Sequence, residues 1–527
     1  MSEILIPPWI VPEDEPQQPL DEGSSVFASA FSPGLTQRQS YGGLRSKLSR
    51  KHTVRGEEKA QLLAALRGTR GRYNIIRSKV HFALRGSFPL TEFLTNNTFS
   101  SGTTGWTAYS TVSSITSADR VLRATRIAND ASHGIGFYNT NPVTSLTQYA
   151  PYAARALIHR ATNAGAQGLV ALGTTAGGVE LGVSATVGTS GIATLAVVPS
   201  SVAAIYVLAN DGVATSTQAG DYIDVAALSL SRCILVDNGP NSMLQSDTLT
   251  TTWAATKVSV SANGTTGVAG TLTADVITED GTAGNHFIGQ DGTKGAVAED
   301  WCSYGFFKRG SGTRDVFLSI GTSGVNIASS IFDLNAGTAG TVTNGGTVTN
   351  GRAFISSMGN GWYYCAVVAR LASATTTHMD VLMVNSGSVS YTGNGTSSIY
   401  AERVGCARSS VPTRGGQTTT TAVDSGTSQT GNTLRVKGLP SSSSGLLLPD
   451  DIFEINGELK TCTAALNSDA AGLGYLQFEP ALFRSPADND PVIVLDPMGK
   501  FLMSNLKIDN EFGTQARVSY DLEHIYE

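Results

Sequence analysis

Glu299-Asp300 and Asp450-Asp451 are adjacent acid pairs, the residue type that a glycosidase places on either side of a scissile bond. Adjacent residues on a strand point to opposite faces, so neither pair converges on one bond. Both read as solvated turn carboxylates. Asp275, Glu279 and Asp280 offer oxygen ligands for calcium, but their spacing follows no calcium-loop pattern. His52, His81, His133, His159, His286, His378 and His524 are scattered, with no metal-ligand spacing among them. The chain carries no HExxH, GxSxG or Walker loop, and no GxGxxG set between strand and helix. Cys233, Cys302, Cys365, Cys406 and Cys462 are odd in number and lack a CxxC pair, which favours buried free thiols over a zinc site or a disulfide framework. The expectation is therefore no enzyme, no cofactor and no catalytic metal, with a structural metal left open in either of the units 91–235 and 236–408.

Recognition remains. Trp106, Trp253, Trp301 and Trp362 have the flat apolar faces that stack on sugars. A tryptophan in an all-β unit with few aromatics usually fills a core, and Trp253 and Trp362 are read that way. Trp106 and Tyr109 follow a glycine-rich loop (SSGTTGW) and are the candidates for a carbohydrate-binding surface. His133, His286 and Arg309, polar residues near predicted strand ends, complete that candidate set.

The elements that must position these residues follow from composition. The chain has 527 residues, too many for one core, so three or four domains are expected. Glycine is abundant at 58 residues and charged residues make up only 15%, which fits short strands joined by tight turns. A hydrophobic content of 41% argues against disorder. The net charge of −6 is mild for this length and argues neither for nor against a nucleic-acid partner; no sequence-specific nucleic acid is expected as a partner. The first residues lack the basic and apolar regions of a signal peptide, and no apolar run reaches about 18 residues. The expectation is a chain made in a cytoplasm, with no membrane insertion.

Residues 434–527 alternate strand and turn, as in Phe453-Glu454-Ile455 and Tyr475-Leu476-Gln477-Phe478, with turns at Asn456-Gly457 and Asp488-Asn489-Asp490-Pro491. This piece is too short to close a barrel alone, and open edges are rarely tolerated. Its missing strands are expected in residues 24–90. That segment is basic and contains one predicted helix, Glu57–Leu66, between Gly56 and Gly68. Stacking aromatics are scarce there, so its arginines, Arg67, Arg70 and Arg72 among them, read as an inter-subunit contact rather than a nucleic-acid surface. Residues 1–23 form a proline-rich acidic arm around Trp9, which either docks on a neighbouring subunit or is a free tail. Residues 91–235 and 236–408 form an ordered repeat. TLTADVI answers VLRATRI, WCSYGFFKRGSGTRDVFLSIGTSG answers YAARALIHRATNAGAQGLVALGTTAG, and SSIYAERVGCAR answers DYIDVAALSLSR. Two jelly rolls follow from that repeat. Residues 409–433, rich in Ser, Thr and Gly, read as a linker or a loop returning to the barrel.

Two resemblances attach to these stretches. NNTFSSGTTGW, the Trp253 segment, GTLTADVITED, WCSYGFFKRGSG and NGWYY resemble the carbohydrate-binding-module-like jelly rolls of phage tail and fibre proteins. EEKAQLLAALRGTRGRY, LPSSSSGLLLPDDIFEINGELKTCTAAL and GYLQFEPALFRSPADNDPVIVLDPMGKFLM resemble the distal tail protein of long-tailed phages. The second resemblance implies an all-β chain: a split barrel related to the tail tube, with one short helix and two inserted jelly rolls. It also implies a homohexameric ring in the virion tail tip, assembled in the host cytoplasm. Its partners would be the tail tube protein, the baseplate hub and tail-fibre proteins, and its outward domains would touch a host surface glycan or dock fibres. A trimeric fibre or spike adhesin and a tail-borne polysaccharide depolymerase are the competing readings.

Overall fold

The computed structural model describes residues 84–501, apart from short loop stretches at 130–133, 162–166, 202–203, 212–217 and 416–428 and single loop positions; outside 84–501 it describes the backbone of strands only. Every regular element among the described residues is a strand. The predicted helix Glu57–Leu66 lies outside the described residues.

Strands from the two ends of the chain form one sheet. Its order is Glu3–Leu5, Ile75–Lys79, Met498–Glu511, Gln515–His524 and Lys47–Arg55. The flanks thus pair with each other around everything between them. They do not close the barrel, which corrects the expected source of its missing strand. The closed barrel consists of Gly431–Lys437, Ile452–Ile455, Glu458–Cys462, Gly474–Leu482, Pro491–Ile493 and one strand from between the two inserted units, Ile234–Val236. The reason lies in burial on both faces. Ile234 and Val236 enter the barrel core with Phe453 and Phe478, while Leu235 points outward into an apolar contact with Ala153, Val411 and Ile493. A short run apolar on every residue suits such a doubly covered strand. Residues 84–90 meet the barrel at its rim. Phe88 enters the barrel core, and the Ser87 and Phe88 amides donate to Gly445 and Leu446 carbonyls at 2.9 Å each.

Each inserted unit is a two-sheet sandwich. In the first, one sheet runs Gly191–Val197, Tyr152–Ala161, Tyr222–Arg232, Val121–Arg126, Ser113–Ala118, and the other Gly182–Val183, Leu169–Gly173, Tyr206–Asn210, Gly136–Asn139, Trp106–Ala108. The second sandwich repeats this order, with Glu299–Arg309, Ser398–Arg408 and Leu272–Glu279 standing where Tyr152–Ala161, Tyr222–Arg232 and Val121–Arg126 stand. These are the stretches that the internal repeat aligns.

Both sandwiches turn the same sheet toward the barrel. In the first, Leu157, Ala226 and Ala227 pack on Met498, and Ala153 packs on Leu235 and Ile493. In the second, Tyr304, Phe306 and Tyr364 share a cluster with Ala471 and Leu473. Residues 409–415 are not a free linker: Val411 and Thr413 are buried, and the Tyr364 hydroxyl donates to the Thr413 carbonyl at 2.6 Å. The opposite sheet of each sandwich lies away from this contact; its outward side chains in the first sandwich are the buried Leu169, Ala171 and Leu208 and the half-buried Tyr138 and Tyr206.

Candidate functional site

Strand alternation builds the outward face of the second sheet of the first sandwich. Phe137, Val170, Leu172, Val207 and Ala209 point into the core. Their neighbours in sequence must then point outward. Leu169, Ala171 and Leu208 form an apolar floor against which Tyr109 and Tyr138 pack. Cross-strand register sets Thr107, Tyr138, Leu208 and Ala171 in one row across four strands. Tyr206 stands in the next row, its ring edge-on to Tyr138 at 6.0 Å between centroids. Tyr109, Tyr138 and Tyr206 are each half-buried. Between Tyr109 and Asn210 the row carries Gly136, packed so closely on the next strand that a side chain would lie 2.2 Å from the Ala209 carbonyl oxygen. The result is a shallow surface with three phenol rings, an apolar floor and hydroxyls from Thr107 and Thr140, which hydrogen-bond each other at 2.8 Å. Such a surface can stack the C–H faces of sugar rings and hydrogen-bond their hydroxyls.

The loop 174–180 folds back along this face. Gly177 lies so close that a side chain there would meet the Tyr109 ring at 3.1 Å and the Tyr138 ring at 3.6 Å. Glu180 ends the loop at the rim of a cleft of about 780 Å³, which lies between the two sandwiches and the barrel and is also lined by Asp300, Arg370, Arg408, Asp488 and Asn489.

Of the sequence candidates among the described residues, Tyr109 alone lies on this surface. Trp106 does not: it is 5% exposed, packed edge-on to Phe99 and Phe137, and its indole N–H donates to the Asn96 carbonyl at 3.2 Å. The glycine-rich loop before it folds over its edge, with the Asn96 amide donating to Gly102 and Thr104 carbonyls at 2.9 Å each. His286 is also corrected. It is fully buried, stacked on Tyr391 at 4.7 Å and set 3.4 Å from Asp280, beneath the small sheet Ala283–Asn285 with Ser390–Thr392. Arg309 is occupied by Asp315 at 2.6 Å and Asp333 at 3.4 Å and pins a hairpin instead of facing a ligand. His133, Trp9, Arg67, Arg70 and Arg72 lie outside the described residues. Tyr138 and Tyr206 were missed, although GFYN and YVLAN show an aromatic one step out of phase with the inward residues.

The other chemical candidates are engaged structurally. Glu299 pairs with Arg408 at 2.7 Å and Asp300 with Arg370 at 3.5 Å. Asp451 is not solvated: it is fully buried and accepts the Arg85, Gly86 and Leu448 amides at 2.7–3.0 Å, which clamps the entering chain on the barrel rim. Asp275 accepts the Leu249 and Asn263 amides, and Glu279 holds Arg314 with both oxygens at 2.7 Å. All five cysteines are buried and free. Burial pushes their thiols up, Cys302 to about 12 and Cys462 to about 11, so none is a thiolate nucleophile near neutral pH. Among the described residues no group of three His, Cys, Asp or Glu side chains is arranged to hold a metal ion.

The corresponding face of the second sandwich has a different character. Phe287, Leu382, Phe317 and Ile331 make an apolar row. Beyond it, His378 is bracketed by Asp291 at 2.6 Å and Asp380 at 2.8 Å. Both ring nitrogens are taken by carboxylates, which leaves no nitrogen free to activate a hydroxyl.

No family model matches the chain, and no curated protein matches it. Among solved structures, it is similar to the N-terminal tandem of the CBM22-1 and CBM22-2 domains from Paenibacillus barcinonensis Xyn10C, at 12% identity and a TM-score of 0.23, over 62% of this chain and 100% of that one.

Proposed function

We propose that this chain is a structural, non-enzymatic surface-binding subunit, in which a barrel carries two sandwiches and the first sandwich grips a glycan through its tyrosine face. The observation that carries this reading is the grouping of the half-buried Tyr109, Tyr138 and Tyr206 over the buried Leu169–Ala171–Leu208 floor. The docked sheet fixes each sandwich on the barrel, and the tyrosines lie on the opposite one. In the assembly that the flanks' resemblance implies, a distal-tail-type ring between tail tube and baseplate hub, several such faces would point outward together. A single site of this kind binds at about millimolar strength, near 4 kcal/mol. Simultaneous engagement around a ring adds roughly 10²–10⁴ in apparent affinity, enough for a reversible host grip.

The test is a glycan array, neutral and amino sugars included, probed with the full chain and with Tyr138→Ala/Tyr206→Ala. The expected result is signal on some glycans, reduced at least about tenfold in the variant, since an aromatic stacking contact contributes roughly 1 kcal/mol or more. A silent array, or a variant that binds as well as the parent, refutes the glycan reading and leaves the sandwiches as docking platforms for tail fibres. Native mass of the assembled protein separates a sixfold ring from a threefold fibre.

A further inference from the structure

We propose that Glu180 makes the tyrosine face selective for saccharides that carry a protonated amine, such as deacetylated hexosamine chains. This rests on the glycan reading of that face and assigns it a ligand class.

The placement of the carboxylate is the starting point. Gly173 is the cross-strand partner of Tyr206 on the outer face. A side chain at Gly173 would start 2.4 Å from Glu180 Oε2. The Glu180 carboxylate therefore occupies the space of the missing side chain, in the same row as Tyr206. Its position is built. The Thr174 amide donates to Oε2 at 3.0 Å and the Thr175 hydroxyl donates to Oε1. The Gly178 amide closes the turn on the Thr175 carbonyl at 2.9 Å. Gly177 leans on the rings of Tyr109 and Tyr138, so loop and rings are fixed relative to each other. These hydrogen bonds, the Thr175 hydroxyl first, hold the carboxyl below its ordinary range, and it is charged at any physiological pH.

Among the described residues the charge has no ion-pair partner: Arg370 and Arg408, which line the same cleft, are taken by Asp300 and Glu299. Arg123 answers Asp224, Arg155 answers Glu454, Arg314 answers Glu279 and Arg408 answers Glu299. Among the described residues no lysine, arginine or histidine pairs with Glu180, which is exposed. An exposed anion held beside aromatic faces attracts a cation, and the phenol rings add to that attraction through their quadrupoles. An N-acetylated sugar offers the same C–H faces to the tyrosines and no positive charge to Glu180. The ammonium of the free amine supplies both.

The test is calorimetric titration of the full chain with hexamers of β-1,4-linked glucosamine and of β-1,4-linked N-acetylglucosamine at pH 6. The parent is expected to bind the deacetylated hexamer about tenfold tighter. Glu180→Gln is expected to bring the two affinities together by weakening the deacetylated hexamer about tenfold relative to the acetylated one. Glu180→Asp keeps the charge and is expected to restore part of the preference, which a merely structural role of this residue would not do. Excess choline, a cation without a sugar ring, competes if the cationic nitrogen alone is recognised; failure to compete assigns recognition to the amino sugar. Equal affinities in the parent, or a preference that survives in Glu180→Gln, overturn the inference while the binding of both hexamers keeps the glycan reading standing. A parent that binds neither hexamer overturns the inference, and only a silent array removes the glycan reading with it.

Discussion

Arg155 of the first sandwich meets Glu454 of the barrel at 2.7 Å, with both side chains buried. Glu454 also accepts the Met498 amide at 2.7 Å, and Arg155 donates to the Asp496 carbonyl at 3.1 Å. One ion pair thus joins the docked sheet, a barrel strand and the start of the strand that pairs with the N-terminal flank. The apolar contacts of Leu157, Ala226 and Ala227 on Met498 surround it. Orientation of the tyrosine face relative to the barrel depends on this junction.

Removing one partner leaves the other charged and buried, which typically costs about 3–5 kcal/mol. Arg155→Ala is therefore expected to loosen the first sandwich and destabilise the barrel together, read as a fall in denaturant midpoint for both. Arg155→Met with Glu454→Gln is expected to lose much less, because no buried charge is stranded. An equal loss in the single and double variants would show that packing, and not the charge pair, holds the junction.

The strand Ile234–Val236 pairs with Gly431–Lys437 on one side and Pro491–Ile493 on the other. Excising residues 95–408 removes it and opens two barrel edges. That truncated chain is expected to aggregate or to melt without cooperativity. Excising 244–404 retains the strand, and the cut ends are adjacent, since the Ser242 amide donates to the Cys406 carbonyl at 2.8 Å. This second product is expected to melt cooperatively. A soluble, cooperative product from the longer excision would show that the barrel closes without Ile234–Val236.

These cases also show what was legible in the chain. The all-β class, both sandwiches and their repeat follow from alternation and from long aligned stretches such as WCSYGFFKRGSG and YAARALIHRATN, which occupy equivalent strands. The closing strand was hidden because three apolar residues between two larger units carry no period, and only the barrel on one side and the sandwich on the other explain them. Trp106 was misplaced because a glycine-rich loop marks a turn without saying which way the next ring points; the Asn96 hydrogen bonds that fold the loop over it are tertiary. Tyr138 and Tyr206 were readable by parity against Phe137 and Val207, yet their nearness needs the register between two strands far apart in sequence. Glu180 could not be read at all, because its place depends on the absence of a side chain at Gly173.

Glu92 enters the docked sheet from the preceding segment and accepts the Leu94 and Leu230 amides at 2.9 and 3.0 Å through one oxygen. The other oxygen is buried without a hydrogen-bond partner. Burial pushes the carboxyl up from 4.5 to about 7, against the pull of the two amides. An acid raised in the folded state binds its proton more tightly there, so stability falls as pH rises from about 4.5 and the loss is complete above about 7. Glu92→Gln is expected to be about 1–2 kcal/mol more stable than the parent at pH 8 and equal to it at pH 4, by denaturant unfolding. A constant difference across that range would place the effect in packing.

His378 gives the opposite sign. Its ring lies between Asp291 and Asp380 on the outward face of the second sandwich, 19% exposed, while Asp291 is 72% exposed. The hydrogen bond to Asp380, reinforced by Asp291, outweighs the cost of burying the charge and raises the imidazole from 6.5 to about 9. A base raised in the folded state stabilises the fold fully below about pH 6.5, and this stabilisation is lost as pH climbs through about 9. Solvent around Asp291 screens the pair, so the contribution is about 1–2 kcal/mol. The parent is expected to lose that amount between pH 6 and pH 9.5, while His378→Gln shows a flatter profile and lies below the parent only at the acidic end. The difference between the two unfolding curves isolates this group from Glu92, whose pH dependence is complete before that of His378 is. Parallel profiles for parent and variant would mean that the imidazole is neutral in the folded protein and that the two aspartates do not hold it charged.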